Sequence, residues 1–96
     1  MTASAPRTIV FAIVPPIARA DLPGLCARVC GLLDGSGATV AFCDVSGVDA
    51  DSVTVEALAR LQLATRRQGC RVRLRNAAAE LRDLVAFMGL RDVLPE

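Results

Sequence analysis

Carboxylates and hydroxyls are concentrated in one stretch of the chain, Asp44 to Arg60, which reads DVSGVDADSVTVEALAR. Four acidic side chains, two serines and one threonine lie within it. Paired carboxylates can perform acid–base catalysis, and a hydroxyl at the start of a helix can accept a phosphate. A structural interpretation competes with both, because Asp, Ser and Thr are also the preferred helix-capping residues.

The rest of the composition argues against catalysis. The chain contains no His, Tyr or Trp, which removes histidine general-base chemistry and histidine metal ligation. Acid–base work by the aspartates would need two carboxylates in unlike environments over a pocket, and no complete set of nucleophile, base and oxyanion donors is recognisable. We therefore predict a protein that is not an enzyme and that uses no cofactor.

Ser52 and Thr54 are the hydroxyls closest to a predicted helix start. A phosphate there would meet unpaired N–H groups and the positive end of the helix dipole. The neighbouring carboxylates of Asp49 and Asp51 would oppose it. The alternative is that Asp51 or Ser52 simply caps the helix, which stabilises it by about 1 kcal/mol.

The four cysteines do not form a strong metal motif. Cys26 and Cys30 have the spacing C-x3-C, and Cys43 and Cys70 are isolated, so the paired C-x2-C knuckles of structural zinc sites are missing. Buried, reduced thiols are the simpler interpretation and fit a cytoplasmic protein. We predict no metal site.

Seven of the eleven arginines lie between Arg60 and Arg82. The formal net charge is only +1, and the chain has few aromatic rings for base stacking, so no nucleic-acid partner is expected. Two interpretations of the basic cluster stay open. It either binds an anion or an acidic partner surface, or it is the solvated face of a strand.

Hydrophobic patterning predicts three strands. The apolar runs at Thr8–Val14 and Thr39–Asp44 are typical of strands buried on both faces, and Pro15-Pro16 ends the first. From Cys70 to Arg75, apolar residues alternate with arginines, which indicates a strand with one wet face.

Between and after these strands the apolar residues recur every three or four positions, which predicts three helices. Expected boundaries are a cap at Asp21 and a stop at Gly35-Ser-Gly37, a helix from about Asp51 to Gln68, and a cap at Asn76 with an end at Gly89. The apolar side of the second helix is also a candidate homodimer face. Alternating strands and helices predict a largely parallel sheet.

The chain length of 96 residues fits a single domain. We expect residues 1–7 to form a flexible N-terminus and residues 8–96 to form one α/β domain, with a small, mostly parallel β-sheet and about three to four helices packed on it. We recognise no signal peptide and no apolar stretch long enough to span a bilayer. The prediction is a cytoplasmic protein without direct membrane insertion.

Between Thr39 and Leu94 the sequence contains an ordered set of short motifs: Asp44-Val-Ser46-Gly47-Val48, Asp51-Ser52, Leu58 and Leu61, Gly69, and Met88-Gly89-Leu90 with Val93-Leu94. In this order the motifs resemble those of a STAS domain, the fold shared by sulfate transporter tails and anti-sigma factor antagonists.

One departure from the family pattern bears on function. The family motif Asp-Ser-Ser-Gly-Leu becomes Asp51-Ser52-Val53-Thr54-Val55 here, so the serine that is phosphorylated in regulatory members corresponds to Val53, which has no hydroxyl. Thr54 replaces the glycine. If a phosphate is accepted at all, we expect Thr54 as the first candidate and Ser52 as the second.

The resemblance implies a protein-binding module of bacterial transcription regulation that docks an anti-sigma factor or serine kinase-like partner through residues 46–54 and the following helix. The expected partner-binding residues are Asp44, Ser46, Gly47, Asp49, Asp51, Ser52, Val53 and Thr54. STAS domains also serve as small cytoplasmic subunits of lipid-handling ABC transporters. That alternative, with an ATPase or permease as partner, stays open.

Overall fold

The computed structural model describes residues 7–14 and 17–96. Their strands are β1 (Arg7–Ala12), β2 (Ala38–Asp44) and β3 (Arg71–Arg75). Their α-helices are α1 (Leu22–Leu33), α2 (Ser52–Arg66) and α3 (Ala79–Phe87), and a 3-10 turn at Arg19–Asp21 precedes α1. The predicted α/β class is confirmed.

The three strands form one parallel sheet in the order β1-β2-β3. A helix connects each strand to the next, as crossover connections in parallel sheets require. The strand β1 begins at Arg7, inside the predicted flexible N-terminus; the rest of that segment, and the predicted stop at Pro15-Pro16, lie outside the described residues.

The two faces of the sheet differ in what covers them. On one, the helix-covered face, side chains of all three strands join a single apolar core with residues of α1, α2 and α3. The strand residues of that face are Ile9, Phe11, Ala41, Cys43, Val72 and Leu74. Ala41, Cys43 and Val72 have no exposed surface.

The opposite face, here called the open face, is covered by no helix of the described chain and contributes nothing to that core. Val10 on β1 is 57% exposed, and Phe42 on β2 is only partly buried. The expectation that β1 and β2 are buried on both faces is therefore wrong for the described residues. An unbroken apolar run does not distinguish a strand covered twice from a strand covered once.

The predicted helix starts are confirmed at α1 and α2 but not at α3. Of the two caps expected for α2, Asp51 is the N-cap, and its side chain accepts the N–H of Thr54 at 2.8 Å. Asp21 is the N-cap residue of α1, but its carboxylate accepts the N–H of Ala18 at 3.1 Å and forms no cap bond with α1. Asn76 does not cap α3 either; the N-cap is Ala78, which offers no side-chain hydrogen bond.

Gln62 closes the outer edge of β3 from α2. Its amide nitrogen donates to the carbonyl oxygens of Val72 at 2.9 Å and Val93 at 2.7 Å, and its amide oxygen accepts the N–H of Val72 at 2.8 Å. Farther along the same edge, Leu74 donates its N–H to the carbonyl of Pro95 at 2.8 Å. Gln62 is 2% exposed, so a buried side chain replaces a neighbouring strand.

Within the described ranges, every helix falls short of the combined length and apolar character that crossing a membrane requires.

Candidate functional site

The predicted partner-binding residues lie where β2 ends and α2 begins. Asp44 is the last residue of β2, residues 45–51 form the connecting loop, and Ser52 opens α2. Because β2 is the central strand, this loop lies at the carboxyl edge of the sheet beside the end of β3. That edge is where open parallel sheets usually place their functional loops.

Asp44 anchors the start of the loop. One carboxylate oxygen accepts the N–H of Ser46 at 2.9 Å, forming an Asx turn, and the other accepts the side-chain N–H of Asn76 at 3.3 Å. The hydrogen bonds from Ser46 are the main reason why the pKa of Asp44 lies below its usual value, and Asn76 and the charge of Arg75 lower this pKa further. The carboxylate is therefore held ionised and oriented.

Asn76 reaches Asp44 because its backbone adopts a left-handed conformation, with φ of 59°. Asparagine tolerates this region better than other residues that carry a Cβ. The prediction of Asn76 as a helix cap is corrected here: it ends β3 and links that strand to the start of the 45–51 loop.

The middle of the loop combines two buried anchors with exposed polar residues. Val45 is 1% exposed and donates its N–H to the carbonyl of Arg75 at 3.0 Å, while Val48 packs against the core and bonds back to Val45. The side chains between and after these anchors, Ser46 and Asp49, are exposed, as is Gly47. The apolar residues therefore fix the loop, and the polar residues face solvent.

At the start of α2 the structure separates the two candidate hydroxyls. Ser52 is exposed, Val53 is partly buried, and Thr54 is only 3% exposed. A kinase acting on the folded chain can reach Ser52 but not Thr54. This accessibility reverses the expected order of the two hydroxyls, and phosphorylation itself stays a prediction.

Glu56, one turn into α2, forms ion pairs with two arginines. Its carboxylate lies 3.2 Å from Arg19 and 3.0 Å from Arg60. Arg19 belongs to the turn before α1, so this pair links the beginnings of the two helices, a contact between distant positions that no local sequence pattern indicates. The exposed acids of the site are therefore Asp49 and Asp51, with Asp44 at its base.

The chemistry available to the cysteines is limited by burial. Burial, together with the nearby charge of Asp44, raises the pKa of Cys43 to about 12, and burial also raises the pKa values of Cys26 and Cys70. Thiols in this state are poor nucleophiles at neutral pH. Among residues 7–14 and 17–96, no three His, Cys, Asp or Glu side chains are grouped as a metal ion would require.

The structure brings Asp44, Ser46, Gly47, Asp49, Asp51, Ser52 and Val53 together on one edge, and it buries Thr54 beneath them. The chain matches no protein-family model, and it matches no curated protein. The arrangement offers oriented carboxylates and two accessible hydroxyls, those of Ser46 and Ser52, on a fixed loop, which suits recognition of another molecule.

Proposed function

We propose that this chain is a non-enzymatic protein-binding module whose docking surface is residues 46–54 together with the exposed side of α2. The observation that carries the proposal is the exposed loop with an anchor at each end. Asp44 fixes its start through Ser46 and Asn76, and Asp51 fixes its end through Thr54.

Fixing a loop before binding reduces the conformational entropy that a complex would lose. The loop presents Ser46, Asp49, Asp51 and Ser52 to solvent, so its partner should offer hydrogen-bond donors or basic side chains. By the resemblance in its second half, the partner class we favour is an anti-sigma factor or a serine kinase of the same regulatory type, in the bacterial cytoplasm. The four free cysteines fit that reducing compartment.

Regulation by phosphate would act through Ser52, the accessible hydroxyl of the first turn. A phosphate there would gain from the N-terminal end of α2 and would be repelled by Asp49 and Asp51. Intact-mass analysis of the protein isolated from its native cell tests this step. The mass gain of one phosphate, lost in Ser52→Ala, supports it, and unmodified protein in every growth phase contradicts it.

A second candidate function is supported by Val53, a residue without a hydroxyl at the position that resembles the phosphorylated serine. A loop that carries no switch there suits permanent docking, as in a small cytoplasmic subunit of a lipid-handling ABC transporter. The two candidates differ in the partner. A kinase or sigma-associated protein identifies the first, and a permease or ATPase identifies the second.

The binding proposal is tested by affinity capture with the full chain, followed by titration of the purified partner against variants. Val53→Glu places a charge in the docking surface and should weaken binding at least about tenfold. Leu32→Glu is the matched control, because Leu32 is 60% exposed and lies near the end of α1. Binding that both variants weaken equally, or that neither weakens, would contradict docking through residues 46–54.

A further inference from the structure

The open face of the sheet is an ordered array of side chains. Strand register aligns alternate residues of the three strands in rows across it. The rows are Thr8, Val40 and Arg71, then Val10, Phe42 and Arg73, then Ala12, Asp44 and Arg75. An apolar area on β1 and β2 is therefore bordered by a column of arginines on β3.

No side-chain carboxylate of the described chain forms an ion pair with the arginine column. The ion pairs of residues 7–14 and 17–96 use Arg19, Arg60 and Arg82, and none uses an arginine of β3. Arg75 instead lies over the ring of Phe42, 4.9 Å from its centroid. Arg73 donates to the main-chain oxygen of Glu96 and retains other N–H donors.

Asp44 is the single acidic residue in these rows, and its carboxylate already accepts hydrogen bonds from Ser46 and Asn76. Near the other end, a groove of about 310 Å³ is lined by Arg66, Arg71 and Arg73, with Asp92 also in its wall. The column therefore stays predominantly positive along its length.

Neither a second copy of this chain nor the six residues before Arg7 complements the positive charge of the open face. A second copy facing it across a two-fold axis would set the arginines against each other or against the uncharged β1 residues, and unpaired charges are costly to bury. The six residues before Arg7 contain no carboxylate. Neither occupant supplies the negative charge that the β3 column lacks.

We propose that the open face binds an acidic amphipathic helix of another protein. Parallel sheets are normally covered by helices on both faces, and here one covering layer is missing among the described residues. The apolar side of such a helix would cover Val10, Val40 and Phe42, and its carboxylates would pair with the arginines of β3. This proposal does not depend on docking through residues 46–54.

The spacing of the arginines along β3 matches the spacing of side chains along one face of an α-helix. Alternate residues of a strand are about 6.6 Å apart, so the three arginines span about 13 Å. Residues four positions apart on a helix are separated by about 6 Å along its axis, so three acids at i, i+4 and i+8 span about 12 Å. A helix lying along β3 can therefore match all three arginines with one column of carboxylates.

The test uses the full chain and a synthetic helical peptide that carries leucines on one face and, beside them, glutamates at i, i+4 and i+8. We expect saturable binding that shifts the NMR signals of the arginine Nε–H groups of β3 and of the Val10 and Val40 methyl groups. Arg71→Glu should weaken binding about tenfold and should improve binding of a peptide with lysines at the same three positions. Arg28→Glu, an exposed change on α1 in the helix layer, is the matched control and should bind as the wild type does.

A second variant tests the apolar contact. Val10→Ser should weaken the acidic peptide severalfold while thermal denaturation confirms that the variant is folded. The proposal is overturned if no saturable binding occurs, or if the shifted signals map elsewhere. It is also overturned if the lysine peptide binds equally well, if Asp51→Ala weakens binding as much as Arg71→Glu, or if sedimentation shows that a second copy covers the open face.

Discussion

Two polar side chains, Asp51 at the start of α2 and Gln62 within it, form hydrogen bonds with main-chain groups. At the start of the helix, the exposed residue Asp51 accepts the N–H of Thr54 in a hydrogen bond that is only partly buried. Farther along, Gln62 forms three hydrogen bonds with the main chain of Val72 and Val93 while 2% exposed. The bonds are alike in kind and differ in their access to water.

Because of this difference in access to water, the hydrogen bonds of Asp51 and those of Gln62 have different roles. Where water can replace a lost partner, a hydrogen bond contributes little net stability and mainly determines geometry. Where water is excluded, the groups left without a partner carry the full desolvation penalty. The hydrogen bonds of Gln62 therefore increase the free energy of unfolding, and the bonds around residues 44–54 mainly determine the conformation of the docking loop.

The largest effect should come from Gln62→Leu, which keeps the side chain's size and removes its amide. Burying the N–H and carbonyl of Val72 without partners should lower the free energy of unfolding by about 3 kcal/mol. Urea denaturation measures this loss. Gln68→Leu is the matched control, because Gln68 is exposed in the turn after α2, and it should change the free energy by less than about 0.5 kcal/mol.

Asn76→Ala should rank second. Alanine is strained at a φ of 59° and cannot donate to Asp44, so we expect a loss of about 1–2 kcal/mol. Asn76→Gly separates the two causes, since glycine accepts the left-handed backbone and also lacks the amide. If both variants are as stable as the wild type, the link between β3 and the loop has no energetic importance.

Asp51→Ala should cost about 1 kcal/mol through loss of the cap on α2. Its effect on partner binding should be larger than its effect on stability, because the loop loses its second anchor. Asp49→Ala, a change at an exposed acid of the same loop, is the control for charge. Calorimetric unfolding and a binding titration on the same samples measure both effects, and equal losses in the two variants would argue against the anchor.

The smallest effect should be the pH dependence contributed by Asp44. Its pKa in the folded chain is lowered, chiefly by hydrogen bonds from Ser46, so folding favours its ionised form. The resulting stability is present above the unfolded pKa of about 3.9 and is lost as the pH falls through the lower folded value. NMR titration of the carboxyl carbon should show the low pKa, and Asp44→Asn should reduce the acid sensitivity of unfolding.

Local patterns predicted those features that local chemistry determines. The alternation of Arg71, Arg73 and Arg75 with apolar residues correctly predicted β3 and its wet face. Asp51 was one of the two residues expected to cap α2, and it is the N-cap. Burial of Thr54 was also within reach, because Thr54 shares one helical face with Leu58 and Leu61, which are buried.

Features that depend on distant parts of the chain were missed. Asn76 could cap a helix or adopt a left-handed turn, and its bond to Asp44, 32 positions away, accompanies the second outcome. No local pattern singles out Gln62, since its partners on β3 and near the chain end are known only once the fold is known. The open face was missed because composition does not reveal which elements a strand will meet.

The bonds that Gln62 and Pro95 form with β3 also limit how copies of this chain can aggregate. A sheet that is free at both edges can add strands indefinitely and grow into a fibre. Here the N–H and carbonyl of Val72 and the N–H of Leu74 are already occupied, so strand addition is confined to the β1 side. Edge-to-edge association through β1 would then stop at a pair, because neither member would offer a second free edge.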